Sequence, residues 1–181
     1  MVKQLRELGK SLLAAIVAAT IVILFVFETV SVDGTSMYRT LHNNDRLIVE
    51  KVTYRFRKPV RGDIVVFKCP SDTSKKFIKR VIAVGGDKIK IDNDKVYVND
   101  RLIDEPYTYY IKPTDNIIED DRIHNFKETT VPSGTIFVLG DNRYDSLDSR
   151  FKDEVGFVSD KLIIGKEFLR VYPFNKFGKV R

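Results

Sequence analysis

The sequence contains few of the residues that form disulfides and metal sites. Its 181 residues include one cysteine, Cys69, and two histidines, His42 and His124. One cysteine excludes an intramolecular disulfide and a cysteine-rich zinc site, and two histidines do not by themselves supply a metal site. We therefore expect no metal and no cofactor. Cys69 lies in an apolar stretch and is interpreted as a small buried hydrophobic residue, with a cysteine protease as the alternative.

The chain also lacks any short segment dense in lysine and arginine, although its net charge is +6. A basic balance suggests nucleic acid or an anionic membrane as a partner. Because no nucleic-acid motif is present, we expect no nucleic acid and interpret the basic residues as a solvated surface near an anionic bilayer. The 43% of hydrophobic residues is enough for a folded core.

One long apolar run lies near the N-terminus, where residues 11–27 carry no charge and Glu28 ends the run. As a helix this run rises about 26 Å, which approaches the roughly 30 Å of a bilayer's hydrocarbon core. A cleaved signal peptide is the alternative, but the residues that follow the run offer no small-residue cleavage site. We therefore predict an uncleaved transmembrane anchor over residues 11–29.

The charges on the two sides of this run predict its orientation. Basic residues precede it, and the acidic residues Glu28 and Asp33 follow it. By the positive-inside rule, residues 1–10 are expected in the cytoplasm and residues 30–181 on the outer face of the cell membrane. The sequence thus predicts a single-pass membrane protein with the lipid bilayer as a partner.

The outer portion is predicted to be mostly β, because it contains short segments rich in β-branched residues and separated by turn residues. The predicted strands are residues 46–52, 63–68, 77–84, 88–91, 95–98, 135–139 and 166–172. Asn99-Asp100 is typical of a tight hairpin turn. Strands this closely spaced form sheets or a barrel-like body. The polar residues 105–130 are interpreted as a surface insertion.

Three segments are hard to explain by folding alone, and the first contains Ser36. It follows the predicted anchor directly, and Gly34 permits a turn that places the serine on an exposed corner. This composition is common in loops, so the segment by itself is weak evidence for a nucleophile.

The second segment is the predicted strand that contains Lys79. Alternation along the strand places Lys79 on the same face as Phe77 and Val81, with Arg80 on the other face. A lysine on an inward apolar face is desolvated, which lowers its pKa and yields a neutral amine that can accept a proton from a serine hydroxyl. The alternative is an ordinary strand lysine whose amine reaches solvent.

The third segment is residues 140–150, which follow a predicted strand and are dense in acidic, arginine and hydroxyl side chains. Such a segment can be a solvated loop. It can equally be a fixed network of arginine–carboxylate pairs that shapes a site. Composition alone leaves both interpretations open.

Taken together, these segments resemble the bacterial type I signal peptidases, in the Gram-positive form with a single N-terminal anchor. The first family motif, Ser-Met-x-Pro-Thr-Leu, is matched by residues 36–41 with Arg39 in place of the proline. The second motif begins with Lys79-Arg80, and the third, Gly-Asp-Asn-Arg-x-x-Ser-x-Asp-Ser-Arg, is complete at residues 140–150. The motifs occur in the family's order and spacing.

The resemblance implies a signal-peptidase-like β catalytic domain behind one transmembrane helix. It implies a serine endopeptidase that removes signal peptides from secretory preproteins, after small residues at the first and third positions before the cut. The implied nucleophile is Ser36, the general base is Lys79, and Ser146 orients the lysine amine. Residues expected to hold the surrounding loop are Asp141, Arg143, Asp148 and Arg150, and residues expected to bind substrate are Val30, Val32, Met37, Phe77 and Ile78.

Other interpretations remain open at this stage. A histidine-based triad would use His42, close to Ser36 in the chain, although its surroundings are typical of a turn. A self-cleaving repressor would share the serine–lysine pair but would carry a DNA-binding domain in place of the anchor. A catalytically silent homologue would bind preproteins without cutting them. Gly34 stands where some members of the family place a hydroxyl, so the backbone N–H of Ser36 is expected to be the main donor to the oxyanion.

Overall fold

The described chain is one long helix followed by two antiparallel β-sheets. The computed structural model describes residues 2–110 and 120–180, so residues 111–119 of the predicted insertion lie outside the described residues. The helices are α1 (Val2–Val26), α2 (Thr53–Phe56) and α3 (Asp121–His124), with 3-10 turns at Asp160–Leu162 and Phe174–Lys176. The strands are β1 (Phe27–Ser31), β2 (Arg46–Glu50), β3 (Ile64–Lys68), β4 (Lys76–Val84), β5 (Lys88–Asp92), β6 (Lys95–Val98), β7 (Arg101–Leu102), β8 (Phe126–Thr130), β9 (Thr135–Leu139), β10 (Val158–Ser159) and β11 (Ile163–Tyr172). The mostly β prediction is confirmed.

Helix α1 contains most of the predicted anchor. It is long and apolar enough to cross a membrane, and its most apolar part is unburied within the described structure, which fits a membrane anchor. The helix ends at Val26, so residues 27–29, within the predicted anchor 11–29, instead begin β1 and pair with β2. This segment is aromatic and β-branched, and such side chains favour an extended backbone when a partner strand is available.

The larger sheet has seven strands in the order β1-β2-β11-β3-β4-β9-β10. It contains the predicted strands at 46–52, 63–68, 77–84, 135–139 and 166–172, with small shifts at their ends. The first half of β4 pairs with β3 and its second half pairs with β9. Within the described residues, the outer edge of β1 and one edge of the first half of β4 therefore carry no partner strand.

The smaller sheet has the order β7-β6-β5-β8, and two tight turns connect β5, β6 and β7. The turn residues Asn93-Asp94 and Asn99-Asp100 all have positive φ. A type I′ hairpin requires this at both central positions, and asparagine and aspartate tolerate it better than most residues. The hairpin predicted at Asn99-Asp100 is confirmed.

The predicted surface insertion at 105–130 does not hold at its C-terminal end, because residues 126–130 form β8 and pair with β5. Phe126 is 6% exposed, and its ring lies 4.9 Å from that of Phe137. The polar composition is misleading here because β8 is an edge strand. It buries one aromatic residue, while most of its other side chains face solvent.

One buried cluster joins the segment after β1 to strands β2 and β3. Met37, Leu41 and Leu47 are each at most 1% exposed, and Ile64 packs beside them. Cys69, in a second cluster, is 2% exposed. This position agrees with the interpretation of Cys69 as a small buried hydrophobic residue.

Candidate active site

A cleft of about 540 Å³ opens between β1 and the first half of β4. One wall is formed by residues 28–36 and the other by residues 76–79, and Val66, Asp145 and Leu147 complete the lining. The walls contain the two strand edges that lack partners within the described chain. An extended peptide can therefore pair with both walls through its backbone, which is the geometry of strand addition.

Ser36 and Lys79 meet in this cleft. Lys79 Nζ donates to Ser36 Oγ at 2.8 Å and to the carbonyl oxygen of Ile78 at 3.1 Å. Ser36 lies in the turn after β1 and Lys79 lies in β4, so the fold brings together residues that are 43 positions apart. The amine is within the reach that a general base needs to accept a proton from the hydroxyl.

Burial controls the protonation of Lys79, which is 4% exposed. Desolvation lowers the pKa of its amine from 10.5 to about 8, although the charges of Asp148, Asp141 and Asp145 act in the opposite direction. Within the described residues the amine forms no ion pair with a carboxylate, so burial prevails. The lowered pKa agrees with the prediction that Lys79 lies on an inward apolar face.

Backbone contacts hold Ser36 in place. The Asn142 N–H donates to the carbonyl oxygen of Ser36 at 3.0 Å, and Asn142 Nδ2 donates to that of Thr35 at 3.2 Å. A Cβ built at Gly140 would lie 2.2 Å from Ser146 Oγ and 2.5 Å from the carbonyl oxygen of Ser36. Glycine is therefore required at position 140 because of close packing.

A buried ion pair supports the end of β9. Asp148 and Arg150 are 0% and 2% exposed, and Arg150 Nε and Nη2 donate to both carboxylate oxygens at 2.8 and 2.9 Å. Ser146 Oγ and the Gly140 N–H also donate to Asp148, at 2.7 and 3.0 Å. Burial raises the pKa of Asp148, but the charge of Arg150 and these hydrogen bonds outweigh it and hold the pKa below its usual value. Asp148 is therefore ionised and fixes both neighbours.

Ser146 has a different partner from the one expected of it. In the described chain the Lys79 amine bonds to Ser36 and Ile78, whereas the Ser146 hydroxyl donates to Asp148. A buried carboxylate is the stronger acceptor, because a hydrogen bond to a charged group is stronger than one between neutral groups. Ser146 thus packs behind Gly140, close to Ser36, as part of the site's supporting wall.

A second network lies on the opposite face of β4. Arg80 Nε and Nη2 donate to the two carboxylate oxygens of Asp141 at 2.8 and 2.7 Å, and the guanidinium lies 3.9 Å from the centre of the Tyr107 ring. Arg143 forms a buried ion pair with Glu105. Residues 140–150 are therefore a fixed network. Sequence reasoning missed Glu105 and Tyr107, because no local pattern reveals partners that are distant in the chain.

Most of the residues predicted to bind substrate line the cleft. Val30 and Val32 lie in one wall, and Phe77 and Ile78 lie in the other. Met37 does not line it, since it is 1% exposed and packs in the cluster beneath. An apolar thioether is more stable in that cluster than on a solvent-facing corner.

The turn before Ser36 is shaped by Gly34 and Thr35. Gly34 has a φ of 88°, a region that glycine adopts readily, and its N–H donates to Asn43 Oδ1 at 3.0 Å. The Thr35 hydroxyl donates to the carboxylate of Asp145. The side-chain hydroxyl next to Ser36 is thus already engaged, and the backbone N–H of Ser36 remains the expected oxyanion donor.

The two histidines lie outside the cleft lining. The His42 ring packs against Tyr38, with Lys176 Nζ 3.4 Å from its Nδ1, and His124 bonds to Asp94 at 2.8 Å. In the described chain His42 makes no hydrogen bond with Ser36, so a triad built on it lacks a required contact. Residues 2–110 and 120–180 contain no group of His, Cys, Asp and Glu side chains arranged to hold a metal ion.

Within the described residues, a serine hydroxyl lies beside a buried amine in a cleft between two strand edges that have no partner strand, an arrangement compatible with a peptidase. Comparison with known proteins identifies the family. Residues 5–172 match the protein family described as "Signal peptidase, peptidase S26". The chain belongs to this signal peptidase family, and the resemblance drawn from the three sequence segments is confirmed.

Two relatives identified by sequence agree with this assignment. Signal peptidase I of Bacillus caldolyticus is 40% identical, and the match covers 98% of each chain. Probable signal peptidase I-2 of Synechocystis is 38% identical over 95% of this chain and 75% of its own length. The crystal structure of a signal peptidase I from Enterococcus faecalis V583 is 30% identical, with a TM-score of 0.48, and covers 61% of this chain and 97% of that one.

Proposed function

We propose that this chain is a membrane-bound serine endopeptidase with Ser36 as nucleophile and Lys79 as general base, and that it removes signal peptides from secretory preproteins. The observation that carries the proposal is the buried Lys79 amine 2.8 Å from Ser36 Oγ in an open cleft. A desolvated lysine with a pKa lowered to about 8 is a competent base for a serine hydroxyl. The relatives are named signal peptidases, which supports the substrate class.

In the proposed first step, Lys79 accepts the hydroxyl proton of Ser36 while Ser36 Oγ attacks the carbonyl carbon of the scissile bond. The Ser36 N–H donates to the oxyanion that develops. Lys79 then passes the proton to the amine of the leaving polypeptide, which departs as the mature protein. The signal peptide remains as an ester on Ser36 until neutral Lys79 deprotonates a water molecule that hydrolyses it.

The two cleft walls support the proposed substrate class. A preprotein bound between β1 and β4 would be extended, so every second side chain would face the same way. The cleft walls include the apolar side chains of Val30, Val32 and Ile78, which favour small apolar residues at the first and third positions before the cut. Ser146, Asp141, Arg143, Asp148 and Arg150 position the wall and do not react.

The proposed location is the cell membrane, with residues 1–10 in the cytoplasm and the catalytic domain on the outer face. The basic residues that precede the apolar run support this orientation. Because β1 starts directly after α1, the cleft lies near the end of the membrane helix. Signal peptides of exported preproteins emerge at that surface.

The test is cleavage of a preprotein by the detergent-solubilised full-length chain, with the cut site identified by mass spectrometry. Ser36→Ala and Lys79→Ala should each reduce kcat/KM by at least about a thousandfold, because each removes a group that acts in the chemical step. Cys69→Ala should retain most of the activity, which tests the cysteine protease. Binding of the preprotein without cleavage by the wild type would favour the silent homologue.

A further inference from the structure

An ion pair spans the cleft between its two walls. Lys76 Nζ of β4 lies 2.7 Å from Glu28 Oε1 of β1, and both residues belong to the cleft lining. β1 and β4 are not neighbours in the order of the sheet, so this contact crosses an open gap and does not join paired strands. A peptide that enters between the two strands has to pass this contact.

The ion pair lies at the end of the cleft nearest to helix α1. Glu28 closely follows Val26, the last helical residue, and Lys51 Nζ is 4.0 Å from Glu28. Lys76 precedes Lys79 in the same strand by three residue steps, which is about 10 Å in an extended chain. The contact therefore lies about three substrate residues away from the amine that serves the reaction.

The charges around this contact are unbalanced. Lys68 stands directly opposite Lys76 in the β3–β4 pairing, and two like charges in that position repel each other. Lys51 adds a third amine on the other side of Glu28. Glu28 is therefore one carboxylate among three amines, and this end of the cleft is electropositive.

We propose that the Glu28–Lys76 contact selects the substrate residue at the fourth or fifth position before the cut. This inference rests on the proposed function, because it requires the attacked carbonyl to lie at Ser36. Three residue steps along β4 then place the fourth or fifth substrate residue between Glu28 and Lys76. Binding opens the ion pair, and the surplus of amines favours an acidic substrate residue over a neutral one and a neutral one over a basic one.

The Glu28–Lys76 contact is expected to change the rate of cleavage modestly and not to prevent substrate binding. The side chains of Lys76 and Glu28 are 50% and 30% exposed. Exposed ion pairs are weak and are screened by salt, so opening one changes a rate by about fivefold or less. The selection is accordingly expected to be a graded preference that depends on ionic strength.

The test uses the detergent-solubilised full-length chain and peptides that differ only in carrying Glu, Gln or Lys at the fourth position, with a second set for the fifth. In at least one set the wild-type kcat/KM should fall from Glu to Gln to Lys, by about two- to fivefold overall at low salt, and the differences should shrink in high salt. Lys76→Glu leaves two carboxylates against two amines at this end of the cleft, so it should abolish the order.

Lys90→Glu is the matched control, because Lys90 is an exposed strand lysine paired with Asp92 at 2.7 Å in the smaller sheet. It makes the same charge change and should keep the wild-type order. If wild type and Lys76→Glu rank both peptide sets identically, the inference is overturned while cleavage itself persists. If the wild type cuts no peptide, or Ser36→Ala cuts as fast, the proposed function fails instead.

Discussion

The two faces of strand β4 hold buried cations in opposite ways. Lys79 and Arg80 are neighbours in the chain and are almost equally buried, at 4% and 5% exposure. On the cleft face, Lys79 contacts a hydroxyl and a carbonyl oxygen; on the other face, Arg80 is bound by both oxygens of Asp141. Burial without a contacting carboxylate lowers the pKa of the Lys79 amine, whereas a guanidinium stays charged in proteins and Asp141 pairs with that charge on the other face.

The largest expected effect comes from Lys79→Met, which removes the amine from the cleft face. Preprotein cleavage should fall by at least about a thousandfold.

The same substitution is expected to affect stability differently. The pKa of Lys79 is lower in the folded chain, about 8 against 10.5, so the unfolded chain binds this proton more tightly. Ionised Lys79 therefore destabilises the fold below pH 8, and its cost is relieved as the pH rises towards 10.5. At pH 7 the variant should unfold at the same temperature as the wild type or a higher one.

The matched change on the other face is Arg80→Met. It leaves the Asp141 carboxylate buried without its cation, which typically costs about 3–5 kcal/mol of unfolding free energy. Thermal unfolding of both variants, measured side by side, checks the contrast. Equal destabilisation by the two substitutions would contradict the proposed difference between the two faces of β4.

Gly140→Ala tests whether the close packing of Gly140 against Ser146 and Ser36 positions Ser36 in the cleft. The added Cβ would lie 2.2 Å from Ser146 Oγ and 2.5 Å from the carbonyl oxygen of Ser36, so the backbone beside Ser36 must shift. We expect a loss of about 1–3 kcal/mol in stability and a fall of roughly tenfold to a hundredfold in kcat/KM. Adding Ser146→Gly removes the clashing side chain but leaves the clash with the Ser36 carbonyl oxygen, so it should recover part of the stability. Wild-type activity in Gly140→Ala would show that this close contact does not position Ser36.

The pH profile of cleavage tests the lowered pKa of Lys79 on the cleft face. Because the proposed reaction needs neutral Lys79, kcat/KM should rise about tenfold per pH unit below the pKa and level off above about 8. The charge of Asp145 raises the pKa of Lys79, so Asp145→Asn should move the midpoint to lower pH by less than about one unit. An optimum in acid would contradict a lysine base.

His42→Ala is expected to have the smallest effect. His42 packs against Tyr38 and lies outside the cleft lining, so kcat/KM should stay within about twofold of the wild type. The assay is the same preprotein cleavage. A loss as large as that of Lys79→Met would restore the histidine triad as the mechanism.

Patterns that are local in the chain predicted the parts of the site that depend on local geometry. Strand alternation is enough to separate Lys79 from Arg80, and the Asn99-Asp100 pair is enough to place a hairpin, because both follow from backbone period and φ preference. The buried position of Met37 was not predicted, since a turn has no period from which a side chain's direction can be read.

Partner choice could not be predicted in the same way. Arg143 pairs with Glu105, 38 positions away, and Ser146 donates to Asp148 in preference to Lys79. Both contacts depend on which groups the fold brings together and on how strongly each is desolvated. The edge strand β8 was missed for a related reason. It has a single buried aromatic residue, and the burial of that residue depends on the pairing of β8 with β5.

Helix α1 passes into β1 without an intervening residue, and the Lys51 N–H fastens the junction by donating to the carbonyl oxygen of Val26 at 2.9 Å. One wall of the cleft is thus a direct extension of the membrane helix. Under the proposed function, this junction holds Ser36 at a fixed distance from the surface of the bilayer. The length of a preprotein's own apolar segment, together with the residues around its cut site, then decides whether its scissile bond reaches the nucleophile.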